Sequence, residues 1–527
     1  MEENRTAEGT ETLEQNTAGI GSQIKTLGKE SLIYGISTVL ARFLNFFLTP
    51  FYTYFLPTGE YGIIAGTYSY IAFMNILFHY ALDQAYMRHS QNRATAFSAA
   101  IKFQAGTTAF FTFILCVFAS YWARLGGIPE NCVYYASAIL VLDTVTLIPF
   151  ADLRMRHESK KFALVKSAGI TVNALLNVLL IAVFHYGIEA VFVANIVASL
   201  LQAIVLIPEF RVFSMKNLPG TGSIIKAMLA YAWPLFIAGA GTMIVQIFDR
   251  PVMLKVMTAS DVGIYQASVK LGIFMQLLVN MFDTAWRAFV IERIGRPGAE
   301  QIFAKVFTYF TAAGLAAWLF LSFFTGDIVQ LKIYGKSLFG PKYWGALNLL
   351  PAFFGANLLY GIYVNLLAPV IITKKTWISL VVTIISSLIS IAGNIYLIPR
   401  AGMKGGAAAL LVSYAVMCVL MFIMGRKVYK IPYEFRKITV ITAAAALCFI
   451  PGYLISGPWS LLTRILCSVA FPALIWFTGF FSREEKENIS VFIKEKYGGK
   501  LKRIFCHQPP RTTGSQQNRT ARKIKRG

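Results

Sequence analysis

Three cationic side chains of this chain stand where a lipid bilayer would tolerate them least. Arg42, Arg250 and Lys270 fall within or at the edge of long apolar stretches, and an arginine at the centre of a membrane helix costs about 2.5–3.5 kcal/mol even on the lenient insertion scale. Such groups must face water or a partner. A guanidinium grips phosphate oxygens in pairs and an ammonium acts as a point charge, so the three together would suit an anionic phosphate or diphosphate. Thr38, Arg42, Asn45, Thr49 and Thr53 step by three or four residues and share one helical face. Thr242, Gln246, Asp249 and Arg250 make the matching face later in the chain, and Gln266 shares a face with Lys270. The bland alternatives are that Asp249 simply neutralises Arg250 and that Lys270 snorkels toward the interface.

A second polar stripe, Asn75, His79 and Asp83, is matched by Gln276, Asn280 and Asp283. His79 and Asp83 are four residues apart, which on one helix allows a hydrogen bond across a turn. Proton coupling or gating is open to that stripe, as is plain interhelical polar glue. Asp143 stands isolated in another apolar stretch and is a candidate for a coupling cation. Asp249, His79, Asp83, Asp283 and Asp143 are thus the possible coupling or gating groups; Arg42, Arg250, Lys270, Asn45 and Gln246 are the substrate-binding set. There is no G-x-x-x-x-G-K-[ST] loop and no H-E-x-x-H, and the six cysteines are scattered without metal-ligand spacing. A transporter that is not an enzyme and has no cofactor or metal is expected.

Membrane helices must position these residues. Hydrophobic residues make up 56% of the chain and charged residues 14%, which places it in the membrane class. A span needs about 20 mostly apolar residues. Fourteen candidate spans run at 31–56, 62–87, 97–123, 131–153, 162–184, 187–209, 226–256, 262–288, 301–325, 345–372, 376–398, 403–425, 436–456 and 459–481. Pro451, Gly452, Gly457 and Pro458 leave a re-entrant pair open for the last two. The net charge of +24 does not imply nucleic acid, because Lys and Arg gather in short loops and in the C-terminal tail. The loops after the even-numbered spans are the richer ones, so both termini are expected in the cytoplasm. The basic tail is expected to lie unfolded against an anionic leaflet.

The chain also repeats itself. Pro50 through Glu60-Tyr-Gly62 aligns without a gap on Pro251 through Asp261-Val-Gly263; Asn45 then falls on Gln246, Asn75 on Gln276 and His79 on Asn280. Six spans per half make these parallel repeats about an axis along the membrane normal. The expected class is an all-α polytopic membrane protein with two pseudo-symmetric six-helix lobes around a central cavity plus two C-terminal helices. Its segments are a disordered cytoplasmic extension (1–24), an N-terminal lobe (25–210), a linker (211–225), a C-terminal lobe (226–425), two added helices (426–481) and a basic cytoplasmic tail (482–527).

At Arg42 and Pro50 running into Tyr54-Phe-Leu-Pro-Thr-Gly-Glu-Tyr-Gly62, at Asp249-Arg250 leading to Val262-Gly-Ile-Tyr265 and Lys270, and at Asn394 to Ala408, the chain resembles polysaccharide and oligosaccharide flippases. These are the O-antigen flippase-like members of the multidrug/oligosaccharidyl-lipid/polysaccharide exporter superfamily, and the resemblance covers about residues 25–480. It implies alternating access in a bacterial inner membrane, with an undecaprenyl-diphosphate-linked oligosaccharide moved to the outer leaflet for surface polysaccharide synthesis. It further implies that Arg42, Arg250 and Lys270 hold the diphosphate while Asn45 and Gln246 face sugar, with membrane lipids and a polysaccharide polymerase and its chain-length machinery as partners. The open alternatives are a lipid II flippase, a cation-coupled multidrug exporter of the same superfamily and a membrane glycosyltransferase or polymerase.

Overall fold

A computed structural model describes residues 44, 46–89, 93–213, 220–333, 335–455, 457–478, 480–481 and 486. Arg42, Asn45, the extension 1–24 and, Lys486 apart, the tail 482–527 lie outside the described residues.

Helices make up almost all of it, because backbone N–H and C=O groups have no water to bond in hydrocarbon and must pair within their own segment. In the first half, α1 (46–55) is followed by α2 (Thr58–His79), α3 (Leu82–Arg88), α4 (Arg93–Val117), α5 (Ala119–Gly126), α6 (Glu130–Met155), α7 (Ser159–Val178), α8 (Ile188–Val205) and α9 (Ile207–Phe213). The second half runs through α10 (Thr221–Ile247), α11 (Asp249–Val256), α12 (Ala259–Leu271), α13 (Ile273–Glu292), α14 (Ala299–Gln330), α15 (Leu350–Leu366), α16 (Ala368–Thr373), α17 (Trp377–Ala401) and α18 (Met403–Val428). Two further helices, α19 (Phe435–Leu454) and α20 (Ser460–Phe477), pack on α14 through Phe323, Ile441 and Phe471. Among the described residues, 12 helices are long and apolar enough to cross a membrane, and the pair α12–α13 makes a thirteenth with a 42° bend. The expected spans at 436–456 and 459–481 are separate helices, each long and apolar enough to cross alone.

Several expected spans are interrupted for local reasons. Tyr80 and Ala81 both take left-handed backbone angles (φ 51° and 52°) and end α2 before α3 begins. The expected His79–Asp83 pairing therefore loses the continuous turn it required. Asp83 meets Arg154 at 3.3 Å instead, and His79 Nε2 is buried without a partner. The span expected at 226–256 divides after Phe248, where the Asp249 carboxylate accepts from the Arg250 backbone N–H. At α12 the start is set by a capping box, with Thr258 Oγ1 accepting from Asp261 N–H while Asp261 accepts from Thr258 N–H.

The two halves meet most closely where the repeat is clearest. A Cβ on Gly62 would stand 1.7 Å from the Ala259 carbonyl oxygen, and one on Gly263 would stand 2.0 Å from the Thr58 carbonyl oxygen. These equivalent glycines let the first turns of α2 and α12 touch backbone to backbone. The hydroxyls of Thr58 and Ser260 lie 2.6 Å apart beside them. A loop at 337–343 covers this end: Gly340 N–H donates to Thr53 Oγ1 at 3.0 Å, Tyr343 O–H donates to the Leu56 carbonyl at 3.0 Å, and Tyr54 O–H donates to the Ser337 carbonyl. Tyr61 stacks edge-on against Tyr343, and the surrounding core draws on both halves, from Phe46 and Ile64 to Leu271 and Phe354.

Replacing Gly62 with leucine forces this junction apart, at a cost of about 1–3 kcal/mol to the closed contact. In a Thr58→Cys/Ser260→Cys background a short bifunctional maleimide should link the two thiols readily, and adding Gly62→Leu should cut that yield about tenfold or more. Unchanged linking would remove the glycine pair as the cause of the close approach.

Candidate functional site

The α10–α11 joint and the end of α12 bring the second-half cation set together. Arg250 is 5% exposed and sits one turn beyond Gln246. Its Nη1 donates to Asp249 Oδ1 at 2.8 Å and to the Gln246 carbonyl, and its Nε donates to Gln266 Oε1 at 3.1 Å. Tyr265 O–H donates to the other oxygen of Asp249 at 2.5 Å. Asp249 is thus spent on neutralising and fixing Arg250, as the bland reading held, and among the described residues Nη2 is the guanidinium donor left uncommitted.

Lys270 differs. It closes the last turn of α12, where the helix dipole favours a cation, and no carboxylate pairs with it among the described residues. It stands at the meeting of two cavities. One, about 340 Å³, is lined by Gln246, Arg250, Gln266, Lys270, Gln276 and Asn357 among others. The other, about 470 Å³, lies toward the first half and is lined by Tyr52, Tyr61, Asn173, Asn195, Ser199 and Gln202 among others. Ala65, Tyr68, Gln266 and Lys270 belong to both walls. A space with one uncompensated positive charge and a wall of amides, hydroxyls and tyrosines can hold an anionic group attached to a hydroxylated one. No group of three or more His, Cys, Asp or Glu side chains placed to hold a metal ion exists among the described residues.

The first-half wall was missed in the sequence. Asn195, Ser199 and Gln202 recur at helical spacing on α8, but the run around them is so apolar that they read as incidental polar residues in a span. They correct the picture of Asp143 as isolated. Ser199 Oγ donates to Asp143 Oδ1 at 2.9 Å, and Asn195 Nδ2 donates to Tyr68 Oη at 2.8 Å, with Ser199 and Asn195 3.4 Å apart. A polar chain therefore leads from Asp143 to the cavity wall at Tyr68.

The second stripe is divided. Gln276 lines the smaller cavity, whereas Asn75 Oδ1, His79 Nε2 and Asn280 Nδ2 are buried without partners. Asp283 pairs with Arg287 at 2.6 Å, one turn along α13.

Some of the basic residues assigned to loops are structural. Asp152, 1% exposed, receives both Nε and Nη2 of Arg93 at 2.6 and 2.7 Å, Arg156 at 3.0 Å and Tyr86 O–H at 2.5 Å. Arg156 and Lys161 also pair with Glu209 of α9. The network binds α3, α4, α6, α7 and α9 into one end of the first half.

The fold is that of the exporter superfamily resembled in sequence. The structure superposes on the lipid II flippase MurJ in an inward closed conformation with a TM-score of 0.66 at 15% identity, covering 86% of this chain and 99% of that one. It also matches multidrug resistance MATE family transporters of the MOP superfamily. One is inward-facing (TM-score 0.54, 14% identity, 75% of this chain and 93% of that) and one outward-facing (0.53, 14%, 76% and 95%). A family model described as a polysaccharide biosynthesis protein matches residues 53–290, the stretch that holds Arg250 and Lys270. No curated protein matches the chain in sequence.

Asp152→Asn leaves Arg93 and Arg156 facing a neutral amide. Breaking a buried pair in this way costs about 3–5 kcal/mol, so the detergent-solubilised variant should unfold at a clearly lower temperature than the parent. An unchanged unfolding temperature would show the network to be solvated and dispensable.

Proposed function

We propose that this multi-pass membrane protein is a flippase that carries a polyprenyl-diphosphate-linked oligosaccharide, undecaprenyl being the expected lipid, across a bacterial cytoplasmic membrane for surface polysaccharide synthesis. The observation that carries the reading is Lys270, an ammonium without a counter-charge among the described residues, where the walls of two polar cavities meet. Its natural complement is an anion, and the amide- and tyrosine-lined space on the first-half side suits sugar hydroxyls. In this reading Lys270 and the free Nη2 of Arg250 hold phosphate oxygens, Arg42 adds a third cation, and Asn45 and Gln246 offer polar contacts. The repeat-related halves rock about the cavity so that it opens to one leaflet and then the other. Asp143, wired through Ser199 and Asn195 toward Tyr68, is the candidate coupling carboxylate. Asp83 and Asp283, paired with Arg154 and Arg287, are candidate gate residues.

A lipid II flippase is the second reading, favoured by the superposition with a TM-score of 0.66; its substrate presents the same lipid diphosphate. A carrier of cationic drugs fits poorly, since the cavity's net charge is of the wrong sign.

Deleting the gene in a host that makes a surface polysaccharide should cause lipid-linked repeat units to accumulate facing the cytoplasm. Lys270→Gln should remove about 1.5–3 kcal/mol of charge-assisted binding and lower the transfer rate about tenfold or more at normal protein abundance, and Arg42→Ala should abolish export. Normal arrival of repeat units at the outer face in the deletion strain would end the flippase assignment; full activity in either variant would remove that residue from the site.

A further inference from the structure

Beside the cationic cavity lies a second space of opposite character. About 410 Å³ in volume, it is walled by both halves of the chain: Phe73 and Met74 of α2 and Leu115 of α4 on one side, Ile244 and Phe248 at the end of α10 and Ile391 of α17 on the other. It shares Ser69 and Ile247 with the cavity that holds Arg250 and Lys270. Ser69 Oγ already donates to the Ala65 carbonyl at 2.8 Å, so its own hydroxyl proton is committed. At its other edge Leu125 is 42% exposed and opens the pocket to the surroundings. An apolar void of this kind does not hold water, and within a bilayer hydrocarbon is what can enter it.

We propose that this pocket binds the first isoprene units of the polyprenyl diphosphate whose phosphates occupy the cationic cavity, the rest of the tail running out past Leu125. The inference rests on the function proposed above and deepens it by assigning a separate subsite to the lipid. The abrupt change of chemistry at Ser69 and Ile247 is what selects the ligand. In a polyprenyl diphosphate the hydrocarbon begins at the phosphate oxygen. In a glycerophospholipid two ester groups lie between phosphate and acyl chain, and they would fall where Ser69, its proton committed to Ala65, and the apolar Ile247 mark the boundary. Because the walls come from both halves, the pocket changes shape whenever the halves move, and tail and headgroup are gripped or released together.

Titration calorimetry on the purified full-length protein in detergent tests this with inorganic diphosphate, farnesyl diphosphate and dioleoyl phosphatidic acid. The parent should bind farnesyl diphosphate about tenfold or more tightly than inorganic diphosphate, the gain expected from burying a few apolar groups. Leu125→Trp and Ile391→Trp, both at half-exposed or exposed positions tolerant of bulk, should each erase most of that gain and leave inorganic diphosphate binding unchanged. Lys270→Gln should weaken inorganic diphosphate and farnesyl diphosphate alike. A gain that persists in both tryptophan variants overturns the subsite, and phosphatidic acid binding as tightly as farnesyl diphosphate overturns its isoprenoid assignment. If the parent binds no inorganic diphosphate, it is the proposed function that fails.

Discussion

Inside a bilayer every polar group must find its partner within the protein, and this single demand orders most of what the structure shows. It makes the backbone helical, and it turns hydroxyls back onto their own helices, as with Ser137 to Val133, Thr308 to Ala304 and Ser413 to Ala409. The same demand locks Arg250 between Asp249, Gln246 and Gln266, and gathers Arg93, Arg156 and Tyr86 around Asp152. With so much of the charge answered internally, a cavity cation that has no carboxylate partner among the described residues acquires meaning. Lys270 has no carboxylate partner among the described residues, and in the proposed function the substrate supplies the negative charge.

The architecture around that space divides its labour by half. Among the described residues the second half supplies the cations, on a helix joint and a helix end that bring Arg250, Gln266 and Lys270 together. The first half supplies a hydrogen-bonding wall built from α2, α7 and α8. Between them the α2–α12 contact holds one end shut with backbone rather than with side chains.

Much of this could be read from the chain before any coordinates. The helices, the repeat and the pairing of Glu60-Tyr-Gly62 with Asp261-Val-Gly263 follow from apolar length and from residues whose spacing survives in both halves. Lys270 and Arg250 stood out because charge in hydrocarbon is costly. What stayed hidden was anything that depends on which helices face each other. Asn195, Ser199 and Gln202 gave only a faint stripe in a strongly apolar run, so their link to Asp143 could not be drawn. The His79–Asp83 contact failed because two consecutive residues, Tyr80 and Ala81, adopt left-handed angles that neither residue type advertises. The closeness of Gly62 and Gly263 was equally invisible, since a glycine in a helix says nothing about whose carbonyl will fill the missing side chain's place.

That glycine contact has a mechanical corollary. The two residues are counterparts in the duplication, so their crossing point lies close to the axis that relates the halves, where rotation produces little sliding. The helix that begins there, α2 (Thr58–His79), has 22 residues, or about 33 Å at the helical rise. A side-chain-free crossing at one end of a rod that long is a fulcrum: a tilt of a few degrees leaves the crossing intact yet swings the far end by a few ångströms. In the proposed function, sealing at one face and widening at the other would be the two ends of a single lever stroke.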